Sequence, residues 1–178
     1  MQHDIIISGF GGQGTLTAGQ LLANAGMDAG KHVTWIPSYG PEMRGGKARC
    51  TVVVAEEPIG APLMTQPTGL IVMNIPSWEA FEPTLKPGGV LVTNSSLVPR
   101  KSERTDITEY IVPATQIASE CGSPKLANVV CLGVLAKATG VMKVEEIAEA
   151  LEKYLPERHK KLLPANLEAL RKGAALVD

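Results

Sequence analysis

Residues 4–14 constrain the fold more than any other part of the chain. Asp4-Ile5-Ile6-Ile7-Ser8 is a short β-branched run without alternation, the pattern of a strand buried on both faces. It stops at Gly9, and Gly9-Phe10-Gly11-Gly12-Gln13-Gly14 then satisfies G-x-G-x-x-G. A helical pattern opens near Gly14 and runs to about Ala29, with Leu16, Leu21, Leu22 and Ala25 on one face and Gly30 as its stop. A doubly buried strand that feeds a glycine turn and an amphipathic helix needs further strands beside it and helices on both faces.

The remaining segments supply them. His32–Ile36 is read as a second strand and residues 37–46 (PSYGPEMRGG) as a loop, being too rich in Pro and Gly for regular structure. Lys47–Val54 alternates at first, with Ala48, Cys50, Val52 and Val54 on one face. Gly69–Met73, Val90–Thr93 and Tyr110–Val112 are further strands, and a short helix through Trp78 and Phe81 is capped in this reading by Ser77. Beyond them the chain turns helical. Ser123-Pro124 opens a helix to Thr139 that is apolar nearly all round and therefore buried. Val144–Leu155 is amphipathic, and Leu162–Val177 reads as a last surface helix. Strand–helix alternation followed by helices predicts one α/β domain over residues 1–178. Its form is a three-layer α/β/α stack with a mostly parallel (mixed) central sheet and a Rossmann-like glycine turn after the first strand.

Charge and composition exclude several classes of function. Seventeen Lys plus Arg against 18 Asp plus Glu leave a net charge of −1, without the basic excess of a phosphate-tracking nucleic-acid protein. Aromatic residues at 4% provide few platforms for stacking bases. Cys50, Cys121 and Cys131 form no C-x-x-C and are one short of the four thiolates that usually hold an iron–sulfur cluster. His3, His32 and His159 lack metal-ligand spacing. The longest apolar stretch, Val129–Ala136, falls far short of the ~20 residues needed to cross a bilayer. The expectation is a reduced, cytoplasmic protein with no membrane and no nucleic-acid partner.

Three groups of residues carry the candidate chemistry. The glycine turn (Gly9, Gly11, Gly12, Gln13, Gly14) suits an anion, because glycines let the backbone approach closely and free N–H groups at a helix start face the charge. A ligand-free tight turn explains the same residues. A dinucleotide site lacks its acid, since the second strand ends Trp35-Ile36-Pro37-Ser38 with no carboxylate for a ribose. The loop Ser38-Tyr39-Gly40-Pro41-Glu42-Met43-Arg44-Gly45-Gly46 is expected at the same carboxyl edge. There Arg44, Lys47 and Arg49 either hold phosphates or pair with acidic side chains. Asn74 and Asn94-Ser95-Ser96 close strands at that edge, where turn and cap roles compete with ligand contacts. Asn128 is read as a satisfied buried amide, and Cys50 and Cys131 as inert core thiols. No catalytic constellation emerges: Walker A, Gly-x-Ser-x-Gly and a histidine beside a nucleophile are all missing.

Read together, the two glycine loops are more specific than either alone. Gly9-Phe10-Gly11-Gly12-Gln13-Gly14, Ala18, Leu21-Leu22-Ala23, Tyr39-Gly40-Pro41-Glu42 and Arg44-Gly45-Gly46 closely resemble the gamma subunit of 2-oxoacid:ferredoxin oxidoreductases. The likeness continues in Asn94-Ser95-Ser96, Pro113-Ala114-Thr115, Ala127-Asn128 and Leu132-Gly133, and its details look most like the 2-oxoglutarate branch. Lys47-Ala48-Arg49 and Thr15 depart from the pattern. The resemblance implies a complex that oxidatively decarboxylates a 2-oxoacid to an acyl-CoA and passes electrons to ferredoxin. In such a complex thiamine diphosphate, magnesium and iron–sulfur clusters belong to alpha, beta and sometimes delta subunits. This chain would dock on those subunits and help handle coenzyme A, with no catalytic residue of its own. The resemblance places the cofactor-side contacts at Gly9, Gly11, Gly12, Gln13, Gly14, Ser38, Tyr39, Gly40, Glu42, Arg44, Gly45, Gly46, Asn94 and Ser95. The competing readings are a stand-alone nucleotide-binding module and the beta subunit of an indolepyruvate:ferredoxin oxidoreductase.

Overall fold

The computed structural model of the chain describes residues 1–40, 46–61 and 63–178. Six strands form one sheet in the order β2-β3-β1-β4-β5-β6. They are β1 Gln2–Phe10, β2 His32–Tyr39, β3 Lys47–Ala55, β4 Gly69–Val72, β5 Val90–Asn94 and β6 Thr108–Val112. β1, β4, β5 and β6 pair in parallel, whereas β3 is antiparallel to both β1 and β2. The sheet is therefore mixed, and β3 alone runs against the rest. The consequence for function is direct: the carboxyl ends of the other strands share one edge.

Helices cover the two faces unequally. α1 (Thr15–Asp28), α3 (Ala114–Cys121), α4 (Ala127–Thr139), α5 (Val144–Tyr154) and α6 (Leu163–Ala174) belong to one layer. The main core lies beneath them, built on Ile5, Ile7, Cys50, Val52, Val54, Ile71 and Val92 from the sheet. The opposite face carries only α2 (Ile75–Phe81) and a short 3-10 turn, Glu82–Thr84. A smaller cluster of Ile6, Leu70, Val72, Leu85 and Leu91 packs there under Trp78 and Phe81.

α1 stops as its sequence requires. Lys31 N donates to Gly26 O and Gly30 N to Met27 O, both at 3.0 Å, with Gly30 left-handed at φ 75. This is the Schellman ending that a glycine just past a helix favours. α4 is buried from Ala127 through Ala136, in accord with its all-round apolar sequence. Its Ser123 cap holds, accepting from Lys125 N, although the first turn is 3-10.

Three expectations are corrected. The loop proposed from residue 37 begins later, because Pro37, Ser38 and Tyr39 continue β2. Gly40 N donates to Lys47 O at 2.7 Å, so even-numbered β2 residues face β3 and odd-numbered ones face the free edge. Pro37 sits on the free side, where its missing N–H breaks no ladder bond. The cap of α2 is Asn74 rather than Ser77: Asn74 Oδ1 accepts from Ser77 N at 2.8 Å, with Pro76 in the first turn. The last helix is more than a surface helix. α6 buries Ala169, Leu170 and Gly173, and a Cβ on Gly173 would strike Val130 O while one on Gly133 would strike Leu170 O. α4 and α6 therefore meet backbone to backbone.

Candidate functional site at the carboxyl edge

The two glycine loops touch each other. Gly11 N donates to Gly46 O at 2.9 Å, joining the turn after β1 to the end of the β2–β3 connection. Within the first loop, Gln13 acts as a clamp. Its Oε1 accepts from Phe10 N at 2.6 Å and its Nε2 donates to Met73 O at 3.0 Å, tying the turn to the end of β4. Gly14, left-handed at φ 72, is the N-cap of α1 and supplies no side chain to the helix start. Its carbonyl accepts from Asn128 Nδ2 at 3.0 Å, so the turn is also fastened to the first turn of α4.

These contacts sort the glycines by role. The space beside Gly14 is filled by the Asn128 amide, and that beside Gly9 by Gln13, Met73 and Thr15. Gly12, at φ 89, faces open space and leaves its backbone bare. α1 has no acidic residue in its first turn. Among the described residues the N–H groups of Gly12 and Gly14 have no acceptor. A partial positive charge therefore stands exposed at this end of the helix.

A cleft of about 200 Å³ opens beside Gly12 and Gln13, bounded by Met73, Leu97, Thr115 and Lys125. Among the described residues its one cation is Lys125. Small-molecule pockets run to about 300–1,000 Å³, so this cleft has room for a phosphate-sized or linear group and not for a whole nucleotide. A larger groove of about 560 Å³ lies at the far edge of the sheet, among the ends of α4, α5 and α6. It is remote from the glycine loops, and open α/β sheets hold their ligands at the carboxyl edge.

The other sequence candidates fall into place unevenly. Ser38 and Tyr39 are exposed on β2, and Gly40 joins Lys47. Glu42, Arg44 and Gly45 lie outside the described residues. Asn94 is fully buried with its amide committed: Oδ1 accepts from Ser96 N and Ala114 N, both at 3.2 Å, and Nδ2 donates to Thr115 Oγ1 at 3.0 Å. It welds β5 to α3, and Ser95 assists by donating its N–H to Val112 O at 2.8 Å. Asn128 is only half satisfied, since its buried Oδ1 has no partner. Burial pushes the Cys50 and Cys131 thiols up to about 12, which leaves them inert. Sequence reasoning missed the Gly14–Asn128 link; the polar residue one position into an otherwise apolar helix was its only signal.

A family model described as pyruvate ferredoxin/flavodoxin oxidoreductase matches residues 4–176. The chain belongs to that family. Its form is that of the family's gamma subunits. Against the 2-oxoglutarate synthase subunit KorC of Methanocaldococcus jannaschii it is 35% identical over 176 residues, covering 97% of this chain and 92% of that one. Against the ketoisovalerate oxidoreductase subunit VorA of Methanothermobacter marburgensis it is 35% identical over 94% of its own length, yet spans only 35% of that longer protein. Among solved structures, the keto/oxoacid ferredoxin oxidoreductase gamma subunit from Geobacter sulfurreducens superposes with a TM-score of 0.81 at 29% identity, covering 97% of this chain and 99% of that one. The 2-oxoglutarate:ferredoxin oxidoreductase from Magnetococcus marinus, solved with 2-oxoglutarate, coenzyme A and succinyl-CoA, reaches 0.87 at 26% identity, over 98% of this chain and 31% of that one. In this pyruvate ferredoxin/flavodoxin oxidoreductase family the same fold thus occurs both as a subunit and within a longer chain.

Proposed function

We propose that the chain is the gamma subunit of a 2-oxoglutarate:ferredoxin oxidoreductase, docking on subunits that carry thiamine diphosphate, magnesium and iron–sulfur clusters and contributing one wall of the coenzyme A site. Electrons then pass to ferredoxin through those partners, in the cytoplasm. The observation that carries the reading is the joined pair of glycine loops, with Gly12 bare, no acid in the first turn of α1 and Lys125 across the cleft. These groups fit a phosphate of coenzyme A: backbone N–H groups and a lysine supply what a phosphate oxygen accepts. Coenzyme A brings the thiol that takes up the acyl group. This chain would hold and orient the carrier, and the small size of the cleft means that a partner surface must close the rest. Asn94 and Gln13 shape the site from behind, their amides being used within the protein.

The 2-oxoglutarate preference rests on the KorC relatives, which the chain matches nearly end to end. The test is to recover the tagged chain anaerobically from its native cells with its partners. Coenzyme A-dependent reduction of a viologen dye is then followed with 2-oxoglutarate, pyruvate and branched 2-oxoacids in parallel. Turnover selective for 2-oxoglutarate is the expected result; selectivity for another 2-oxoacid reassigns the substrate, and an inert chain recovered alone overturns the proposal.

A further inference from the structure

The sheet is half uncovered on its second face. α2 shields β1, β4 and β5 there, but among the described residues no helix lies over β2 and β3. Pairing register identifies what this bare half presents. One row runs Ile6–Thr51–Ile36, the next Ser8–Arg49–Ser38, and the last, at the carboxyl edge, Phe10–Lys47, with Ile6 and Ser8 buried under α2 and the β3 and β2 members left uncovered. Ile36 is 42% exposed and Phe10 38%, and Ser38, Lys47 and Arg49 are exposed as well. The Arg49 guanidinium stands 5.3 Å from the centroid of the Phe81 ring, which holds the cation on this face rather than loose in water.

The charge on the patch has one sign. Among the described residues neither Lys47 nor Arg49 makes an ion pair. The only acid that these three strands turn to this face is Asp4, at the far end, where Gln2 Nε2 donates to its carboxylate at 2.8 Å. Exposed Ile36 and Phe10, beside two cations that have no ion pair among the described residues, are complementary to a protein surface with carboxylates around an apolar knob. Pro37 narrows the choice further. It interrupts the outward donors of the free β2 edge, so strand addition by a second copy is disfavoured and a face-on contact is left.

We propose that the bare β2–β3 face, centred on Ile36 and Arg49, is the docking surface for an acidic patch on a partner subunit of the oxidoreductase. This inference rests on the docking role given under Proposed function. It also places the contact next to the joined glycine loops, since the row Phe10–Lys47 ends beside them.

The test uses the assembled complex. Wild type, Lys47→Glu/Arg49→Glu, Ile36→Asp and a single charge reversal on the helical layer, Glu149→Lys, are each recovered with the native partner subunits, and affinity is measured on re-association at two salt concentrations. The expected result is roughly ten- to a hundredfold weaker association for the double reversal and for Ile36→Asp. Wild-type affinity should fall with salt, and Glu149→Lys should bind like wild type. Circular dichroism of each isolated variant checks folding. Should Ile36→Asp fail to fold, the double reversal, which touches only exposed side chains, decides alone. Association of the folded double reversal at wild-type strength overturns the proposal. So does a wild-type self-dimer that the same reversal abolishes, since a second copy would then own the face. A wild-type chain that recovers no partner refutes the docking role itself, and is thereby distinguished from a wrong choice of surface.

Discussion

Replacing Gln13 by Ala tests whether the glycine turn is held by its own side chain or only by the backbone. The two bonds at stake differ in environment. Met73 is buried, so loss of the Nε2 donor strands a carbonyl away from water, at a cost of about 1–3 kcal/mol. Phe10 N lies in a partly exposed turn where water replaces Oε1, so that bond contributes about 0.5–1 kcal/mol. The sum, about 1.5–4 kcal/mol, corresponds to a fall in Tm of about 3–16 °C for a domain of this size. Urea denaturation of the isolated chain should show a lower midpoint with an unchanged slope, as expected when native contacts are lost without a change in compactness. In the assembled enzyme, coenzyme A-dependent turnover should drop with a raised KM for coenzyme A. An unchanged midpoint would refute the clamp, and a lowered midpoint with unchanged KM would separate the clamp from ligand handling.

Other expectations follow from packing and burial. Gly133→Ala and Gly173→Ala would each gain about 1 kcal/mol of helix propensity, yet each places a Cβ on the other helix's backbone. Overpacking should win by about 1–2 kcal/mol net, read as a lower urea midpoint. Asn128→Asp replaces the donor to Gly14 O by a buried carboxylate, whose pKa burial and the facing carbonyl must raise. Its penalty should be small below the unfolded aspartate value of about 4 and grow as pH rises through the folded one, checked by Tm against pH. With thiols near 12, Cys50 and Cys131 carry about one thiolate in ten thousand at pH 8. Mass spectrometry after alkylation should find both unmodified in the native chain and modified in urea.

The sequence announced elements better than their neighbours. The Ile5–Ile7 run is legible because a doubly buried strand tolerates only apolar residues, whereas the extension of β1 to Gln2 and Phe10 is set by its antiparallel partner β3. Pro37 reads as a breaker in isolation; only its position on a free edge makes it compatible with a strand. The insertion of β3 between β2 and β1 leaves no local mark, because alternation along β3 is the same whichever strand it joins. Asn74 and Ser77 both suit a cap, and the fixed φ of Pro76 at the helix start decides for Asn74. At the site, the glycine turn was visible from spacing alone. That Gln13 and Asn94 face inward was not, since it depends on Met73 and Ala114 arriving from distant parts of the chain.

The burial of α4 reaches further than the core it fills. The helix is buried from Ala127 to Ala136, so its amides should be among the slowest in the domain to exchange with solvent. Asn128, in the first turn of that helix, grips the carbonyl of Gly14. The glycine turn is thus moored to one of the slowest parts of the molecule to open. A loop at the surface would ordinarily fluctuate within nanoseconds to microseconds; this one should keep its shape at the inner end for far longer, leaving Gly12 as the freely moving link.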